Sequence, residues 1–308
     1  MKKVLKWTGI VILSLVVIIV AFAFIMQAKY KKMSKVIYEV NVPDIPILTD
    51  SASLARGASI AASTCVACHG GDLAGRDFFN DDKIGVVYSA NLTPGGITKD
   101  FTDKDWIRAI RYGVKPDGHG MFVMPVEYLG QMSDQDLGSL IGYLKTLPPS
   151  DKPQPDNRFT FMAQVMAGAG LFGDLYGCDI IDLQDAAPRV APEFSESADY
   201  GKYTMRFHGC FSCHGEKMNG DKSPDPVSPA CPNISMGGNM GKWTSDQFME
   251  TIRTGKTPEG KELRFEFMPW DEFRTMSDTE LRAIFNYIQS QPAEADSEVM
   301  VEWNKKNS

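Results

Sequence analysis

One five-residue pattern able to do covalent chemistry occurs twice in this chain, as Cys65-Val66-Ala67-Cys68-His69 and as Cys210-Phe211-Ser212-Cys213-His214. Two thiols separated by two residues share one turn, so each can add to one vinyl group of the same porphyrin. The adjoining imidazole then sits under the iron as its proximal ligand. Cys65, Cys68, Cys210 and Cys213 are the expected thioether positions, and His69 and His214 the expected axial ligands. A thioredoxin-like redox pair carries no following histidine, and a zinc site needs further ligands clustered with the first two. The expected cofactors are two covalently attached c-type haems.

An iron held by one histidine has a sixth position to fill. Met124-Pro125 begins 55 residues after His69 and Met268-Pro269 begins 54 residues after His214. The proline fixes φ and removes a donor, which stiffens a loop where a thioether must point at iron. Met124 and Met268 are the expected distal ligands, set against the ordinary use of methionine as a core filler among the 16 present. Met121 has no partner in the second copy. His119 would give a bis-histidine iron, but its counterpart is not a histidine. His208, two residues before Cys210, is expected at the surface or beside a haem propionate.

The elements that must position these side chains form a repeat. Each copy runs from a short helix into its C-x-x-C-H, then to Asn91-Leu92-Thr93 or Asn233-Ile234-Ser235. Thr102-x-x-Asp105 and Thr244-x-x-Gln247 read as capping boxes opening helices that stop at Gly113 and Gly255. After the Met-Pro loop, Ser133-x-x-Asp136 and Ser277-x-x-Glu280 open the last helices. Leu137, Leu140, Ile141 and Leu144 in one, and Leu281, Ile284, Phe285 and Ile288 in the other, form one apolar stripe each.

The predicted organisation is an anchor at 1–33, a tether at 34–49, domains at 50–148 and 194–292, a connector at 149–193 and a tail at 293–308. Trp7 to Ala28 is uncharged and long enough to cross about 30 Å of hydrocarbon. The Ala21-Phe22-Ala23 triplet of a cleavable signal lies inside that run, so an uncleaved single-pass helix is expected. Lysines flank both ends, which leaves the positive-inside rule nearly silent. Covalent haem belongs on the outer, oxidising side of a bacterial inner membrane, so the haem domains are expected in the periplasm. Pro43 and Pro46 mark an extended tether lifting the first domain off the membrane.

The stretch from Phe159 to Gly173 carries no charge and is read as a connector packed on a haem domain, or as an apolar patch meeting a membrane or partner. Of six cysteines, Cys178 and Cys231 lie outside the motifs, to form a disulfide or to stay as two buried thiols. The tail is expected to be mobile. A net charge of −7 gives a nucleic-acid role no support.

The two attachment motifs, Asn91-Leu92-Thr93-Pro94, the run Trp106 to Gly113, Met124-Pro125 and Met132-Ser133-Asp134-x-Asp136-Leu137, with their second-copy partners, resemble the class I cytochrome c family. More narrowly, the chain is similar to the membrane-associated cytochrome subunits that take electrons from periplasmic alcohol, aldehyde and gluconate dehydrogenases. It departs from them in carrying two motifs where three are common. The resemblance implies an all-α fold, two tandem cytochrome c-like domains behind the transmembrane helix. It also implies one-electron transfer between a donor, such as a dehydrogenase, and an oxidase or another cytochrome. The rival expectation is a dihaem enzyme, a cytochrome c peroxidase or a thiosulfate dehydrogenase. A six-coordinate iron binds no substrate, so an electron carrier with no catalytic residue is the leading reading.

Overall fold

A computed structural model describes residues 2–223, 228–265 and 267–307. The chain opens with α1, Lys2–Met33, a single apolar helix with no buried residue and lysines in its last turn. The first haem-motif unit follows as α2 (Ser51–Thr64), α3 (Val66–His69), α4 (Asp103–Tyr112), α5 (Val126–Leu129) and α6 (Asp134–Lys145). After α7, Phe161–Gly168, the second unit repeats that order as α8 (Ala198–Phe207), α9 (Cys210–His214), α10 (Ser245–Thr254), α11 (Trp270–Phe273) and α12 (Asp278–Ser290), and α13 (Glu298–Asn307) ends the chain.

The local signals act as read. Thr102 and Asp105 close a full capping box on α4, as Thr244 and Gln247 do on α10, and Gly113 and Gly255 end those helices in the left-handed conformation. Ser277 and Glu280 close the box on α12. On α6 the box is interrupted: the Ser133 N–H donates to Tyr203 Oη at 2.9 Å, and that hydroxyl donates to Asp136 Oδ2 at 2.6 Å. A tyrosine from the second unit has entered the cap of a helix in the first.

In each unit the helix before the haem motif crosses the last helix on a glycine. A Cβ added at Gly57 would overlap the backbone of Ser139 and the Tyr143 Cβ, and one at Gly201 would overlap the backbone of Ala283 and Ile284. Backbone and helix spine, unlike a flexible side chain, do not yield. Gly57→Ala and Gly201→Ala are each expected to cost about 1–3 kcal/mol by overpacking, read as a lower denaturation midpoint at unchanged slope.

The architecture is mostly helical but not wholly so. Asp77–Asp81 (β1), Gly85–Tyr88 (β2) and Arg158–Phe159 (β3) form an antiparallel sheet with β2 in the centre. Val86, Val87 and Tyr88 favour a pleated strand, and among the described residues the second unit has no equivalent sheet, only an isolated bridge between Asp221 and Cys231. The repeat therefore hid it.

Two other expectations change, and the alternative left open for Cys178 and Cys231 is decided. The tether is extended, but it is a strap bound to the first unit. Leu48 N–H donates to Gly138 O, Ile45 is buried, and Gly138 and Gly142 let the carbonyls of Pro46 and Leu48 lie against α6 where a Cβ would block them. Two glycines four apart make one groove on a helix face. The tail forms α13, with Met300 buried against Gly220 and Asn233 Nδ2 donating to Glu294 O. Cys178 and Cys231 are both free thiols. Cys178 packs under Gly120 and Tyr38 in the connector, whereas Cys231 hydrogen-bonds Cys213 in the second unit.

Candidate haem sites

Each C-x-x-C-H lies on a short turn directly after the helix that precedes it, α2 into α3 and α8 into α9. The two proximal histidines are held identically. His69 Nδ1–H donates to Ala90 O at 2.8 Å, and His214 Nδ1–H donates to Pro232 O at 2.8 Å. A carbonyl can only accept, so Nδ1 carries the proton and Nε2 presents its lone pair, the tautomer a metal requires. Burial lowers the proton affinity of both rings against the opposing pull of that carbonyl bond, which favours the neutral imidazole.

Each accepting carbonyl immediately precedes the matched asparagine, which explains the Asn-x-Thr/Ser repeat. Asn91 Oδ1 accepts from Thr93 N and Oγ1, while its Nδ2 donates to Ser150 O. Asn233 Oδ1 accepts from Ser235 N and Oγ, while its Nδ2 donates to Glu294 O. The side chain locks a turn and thereby aims the carbonyl before it at the histidine. Between motif and asparagine, buried Leu73 and Met218 occupy the left-handed region at φ 55 and 59, and each accepts a backbone bond, from Leu92 and Ile234 respectively. That conformation is uncommon for residues with a Cβ. No sequence signal marked it.

The Met-Pro pairs also share one geometry. Val126 N–H donates to Met124 O at 2.9 Å and Trp270 N–H donates to Met268 O at 2.7 Å. The prolines between them sit at φ −82, ψ 65 and φ −75, ψ 56. These are inverse γ-turns, whose central φ a proline supplies. Met124 and Met268 are partly buried and each packs on the core of its own unit. His119 lies instead in a hairpin paired with Ile37, its Nδ1 3.2 Å from Asp117.

Burial pushes the Cys65 and Cys68 thiols up to about 11 and Cys210 up to about 12, while the hydrogen bond from Cys231 lowers Cys213. Among the described residues no three His, Cys, Asp or Glu side chains cluster as ligands for a bare metal ion, which leaves zinc without a cage. Four unpaired thiols in two pairs, two oriented imidazoles and two matched thioethers fit two porphyrins.

The two sites face each other. α5, which follows Met124-Pro125, packs on α8, and α11, which follows Met268-Pro269, packs on α2. The Tyr128 ring covers Gly209, beside the second motif, and Glu272 lies near Cys65 and Cys68. Phe207 from α8 is buried in the core of the first unit. His208 belongs to this interface and not to the surface: it is buried, with Nδ1–H donating to Thr204 O at 2.8 Å and Nε2 accepting from Ser63 Oγ at 3.0 Å.

Burial drops the His208 pKa to about 4. The unfolded ring binds its proton near 6.5, so between those values only the unfolded chain is protonated. Stability is then expected to fall as pH drops from about 6.5 toward 4. His208→Gln should flatten that part of the curve, measured by denaturant titration across the range.

A family model described as cytochrome c oxidase, cbb3-type, subunit III matches residues 52–144, and a cytochrome c model matches residues 198–292. The chain carries two cytochrome c domains. Two covalently bound c-type haems follow from them. These domains are similar to those of the fructose dehydrogenase cytochrome subunit of Gluconobacter japonicus, 26% identical over 277 residues, covering 80% of this chain and 54% of that protein. The gluconate 2-dehydrogenase cytochrome c subunit of Pantoea cypripedii is 24% identical over 279 residues, covering 82% and 62%. A subunit of nicotinate dehydrogenase from Pseudomonas putida is 25% identical over 264 residues, covering 78% and 21%. The chain thus spans about half to three-fifths of the first two relatives.

Proposed function

We propose that this chain is a membrane-anchored dihaem electron relay serving a periplasmic dehydrogenase, with a respiratory acceptor beyond it. In this reading Cys65 and Cys68 hold one haem and Cys210 and Cys213 the other, with His69 and Met124, and His214 and Met268, as axial pairs. Bound in this way, each haem supplies a one-electron iron couple at relatively high potential.

The chain's own residues keep that couple inert to everything else. Ala90 O and Pro232 O fix the imidazole tautomer, and the proline γ-turns hold the thioethers. At the attachment turns Cys65 is buried and Cys68, Cys210 and Cys213 are half-buried. The observation carrying the proposal is the duplication of the whole arrangement, histidine carbonyl, asparagine turn and Met-Pro turn, with the two copies facing across one interface. Relatives named as dehydrogenase cytochrome subunits support the donor class. The apolar helix α1 would anchor the relay and raise its effective concentration near membrane partners.

Expression in a host that matures c-type cytochromes tests it. The expected product gains the mass of two porphyrins, titrates as two one-electron centres and, when reduced, resists carbon monoxide. A single porphyrin, or a high-spin iron that turns over peroxide, overturns the relay in favour of an enzyme.

A further inference from the structure

The uncharged connector is bound to the apolar helix. α7 lies across the end of α1: the Phe24 and Phe161 rings are 5.6 Å apart, and Gln27 Nε2 donates to Gln164 Oε1 at 2.9 Å. Gly168 meets the backbone of Met26 at a distance that leaves no room for a Cβ. Just beyond, the Tyr30 and Phe159 rings are 6.0 Å apart. The α1 residues in these three contacts, Phe24, Met26 and Gln27, belong to the uncharged run ending at Ala28. At 1.5 Å per residue they lie roughly 2–6 Å inside its end.

Beside this contact, the start of α7 and the turn that follows it leave apolar side chains uncovered. Met162 is 60% exposed and Leu171, in the turn after α7, also 60%, level with Ile25 at 61%; Phe161 keeps 43% of its surface open beside Phe24, whereas Ala163 and Ala167 are buried. Thr160 Oγ1 accepts from the Ala163 N–H at the first turn, and the N–H groups of Ala169, Gly170 and Leu171 close the last. Lys29, Lys31 and Lys32 follow directly on α1, where phosphate headgroups would stand. Thr160 also donates from N to Ile84 O and from Oγ1 to Lys83 O, which ties this helix to the sheet of the first cytochrome domain.

We propose that α7 is a second membrane-seated element, an interfacial helix that with the turn after it places Phe161, Met162 and Leu171 in the outer boundary of the bilayer beside α1. The inference rests on the reading of α1 as a membrane span. The bilayer is the occupant because the exposed face of α7 continues that of α1, at a depth where the neighbours of α1 are acyl chains. An interfacial helix lies about 5–10 Å into the headgroup and acyl boundary, and the contact with Met26 holds α7 near that level. Its consequence is orientation: a single helix leaves a domain free to swivel, whereas α1 and α7 together define a plane and present the first haem domain at one angle.

The test uses the full chain with its haems in vesicles of phosphatidylethanolamine and phosphatidylglycerol, labelled with a lipid-dissolved carbene precursor and digested with trypsin. Cleavage yields residues 7–29 from α1 and 159–189 around α7. Label is expected on both, concentrated in the second at Phe161, Met162 and Leu171. Changing Met162 and Leu171 to glutamate together should cut labelling of 159–189 by roughly fivefold or more, leaving 7–29 and the haem content unchanged. Label on 7–29 with none on 159–189 overturns the proposal alone and leaves that face to a protein partner. Absence of label from both removes the membrane span as well.

Discussion

Met124→His and Met268→His are each expected to lower the midpoint potential of one haem by on the order of a few hundred millivolts, within the ~0.8 V range that axial ligation spans. A thioether is a weak donor that favours ferrous iron, whereas an imidazole stabilises the ferric state. Each change should move one of two waves in a spectroscopic redox titration and leave its partner nearly in place. The optical signature of a methionine-ligated ferric haem should fall by half in each single variant and vanish in the double. Met124→Leu and Met268→Leu separate ligation from packing. A core methionine tolerates leucine at a cost of less than about 1.5 kcal/mol and no change in iron chemistry. A ligating one leaves an iron that binds carbon monoxide. The matched γ-turns on Pro125 and Pro269 are the reason to expect the second result at both positions.

Arg56→Met loosens the two domains from each other. Arg56 Nε and Nη2 reach Asp136 at 2.8 and 2.9 Å, and Nη1 reaches Glu280 of the other domain at 2.6 Å. The side chains are 20%, 11% and 3% exposed. Removing the cation leaves two largely buried carboxylates facing each other, a loss of about 3 kcal/mol or more. The expected readouts are a lower denaturation midpoint and slower electron exchange between the haems, since the sites face each other only while the domains are docked. Adding Glu280→Gln to Arg56→Met should recover part of the loss, and the double-mutant cycle gives the coupling.

The pH dependence has a definite sign. Burial alone would raise the Glu280 pKa, but the charge and hydrogen bond of Arg56, with the Ser277 N–H, hold it below the usual carboxylate value. This contribution is therefore complete above the ordinary carboxylate range and disappears as pH falls through the lower folded value. Glu280 and His208 act in the same direction, so acid should separate the domains before it unfolds either one.

Arg56, Tyr203 and His208 were not legible as a group. Nothing in the neighbourhood of Arg56 distinguishes it from a surface arginine on a capped helix, and its partner Glu280 is 224 positions away. Tyr203 reads as an ordinary helical aromatic until its hydroxyl is found inside the cap of α6. The strap at 34–49 and the helix α13 are hidden from the sequence for a related reason. Polar and proline-rich stretches look free in sequence, yet Gly138, Gly142 and Gly220 open backbone-deep seats for them on elements distant in the chain.

What the sequence determined by itself is the chemistry that closes within a few residues. Two thiols and an imidazole on one turn, a cap that returns three residues later, a proline after a methionine and an asparagine before a threonine or serine each carry their geometry locally, and each is repeated. What only the tertiary structure decided is which of these units meet: the two haem sites turned toward one another, a single arginine between two acids, and the uncharged connector laid on the apolar helix. Those choices follow from shape and charge complementarity between surfaces far apart in the chain, and no local pattern of residues encodes such a match.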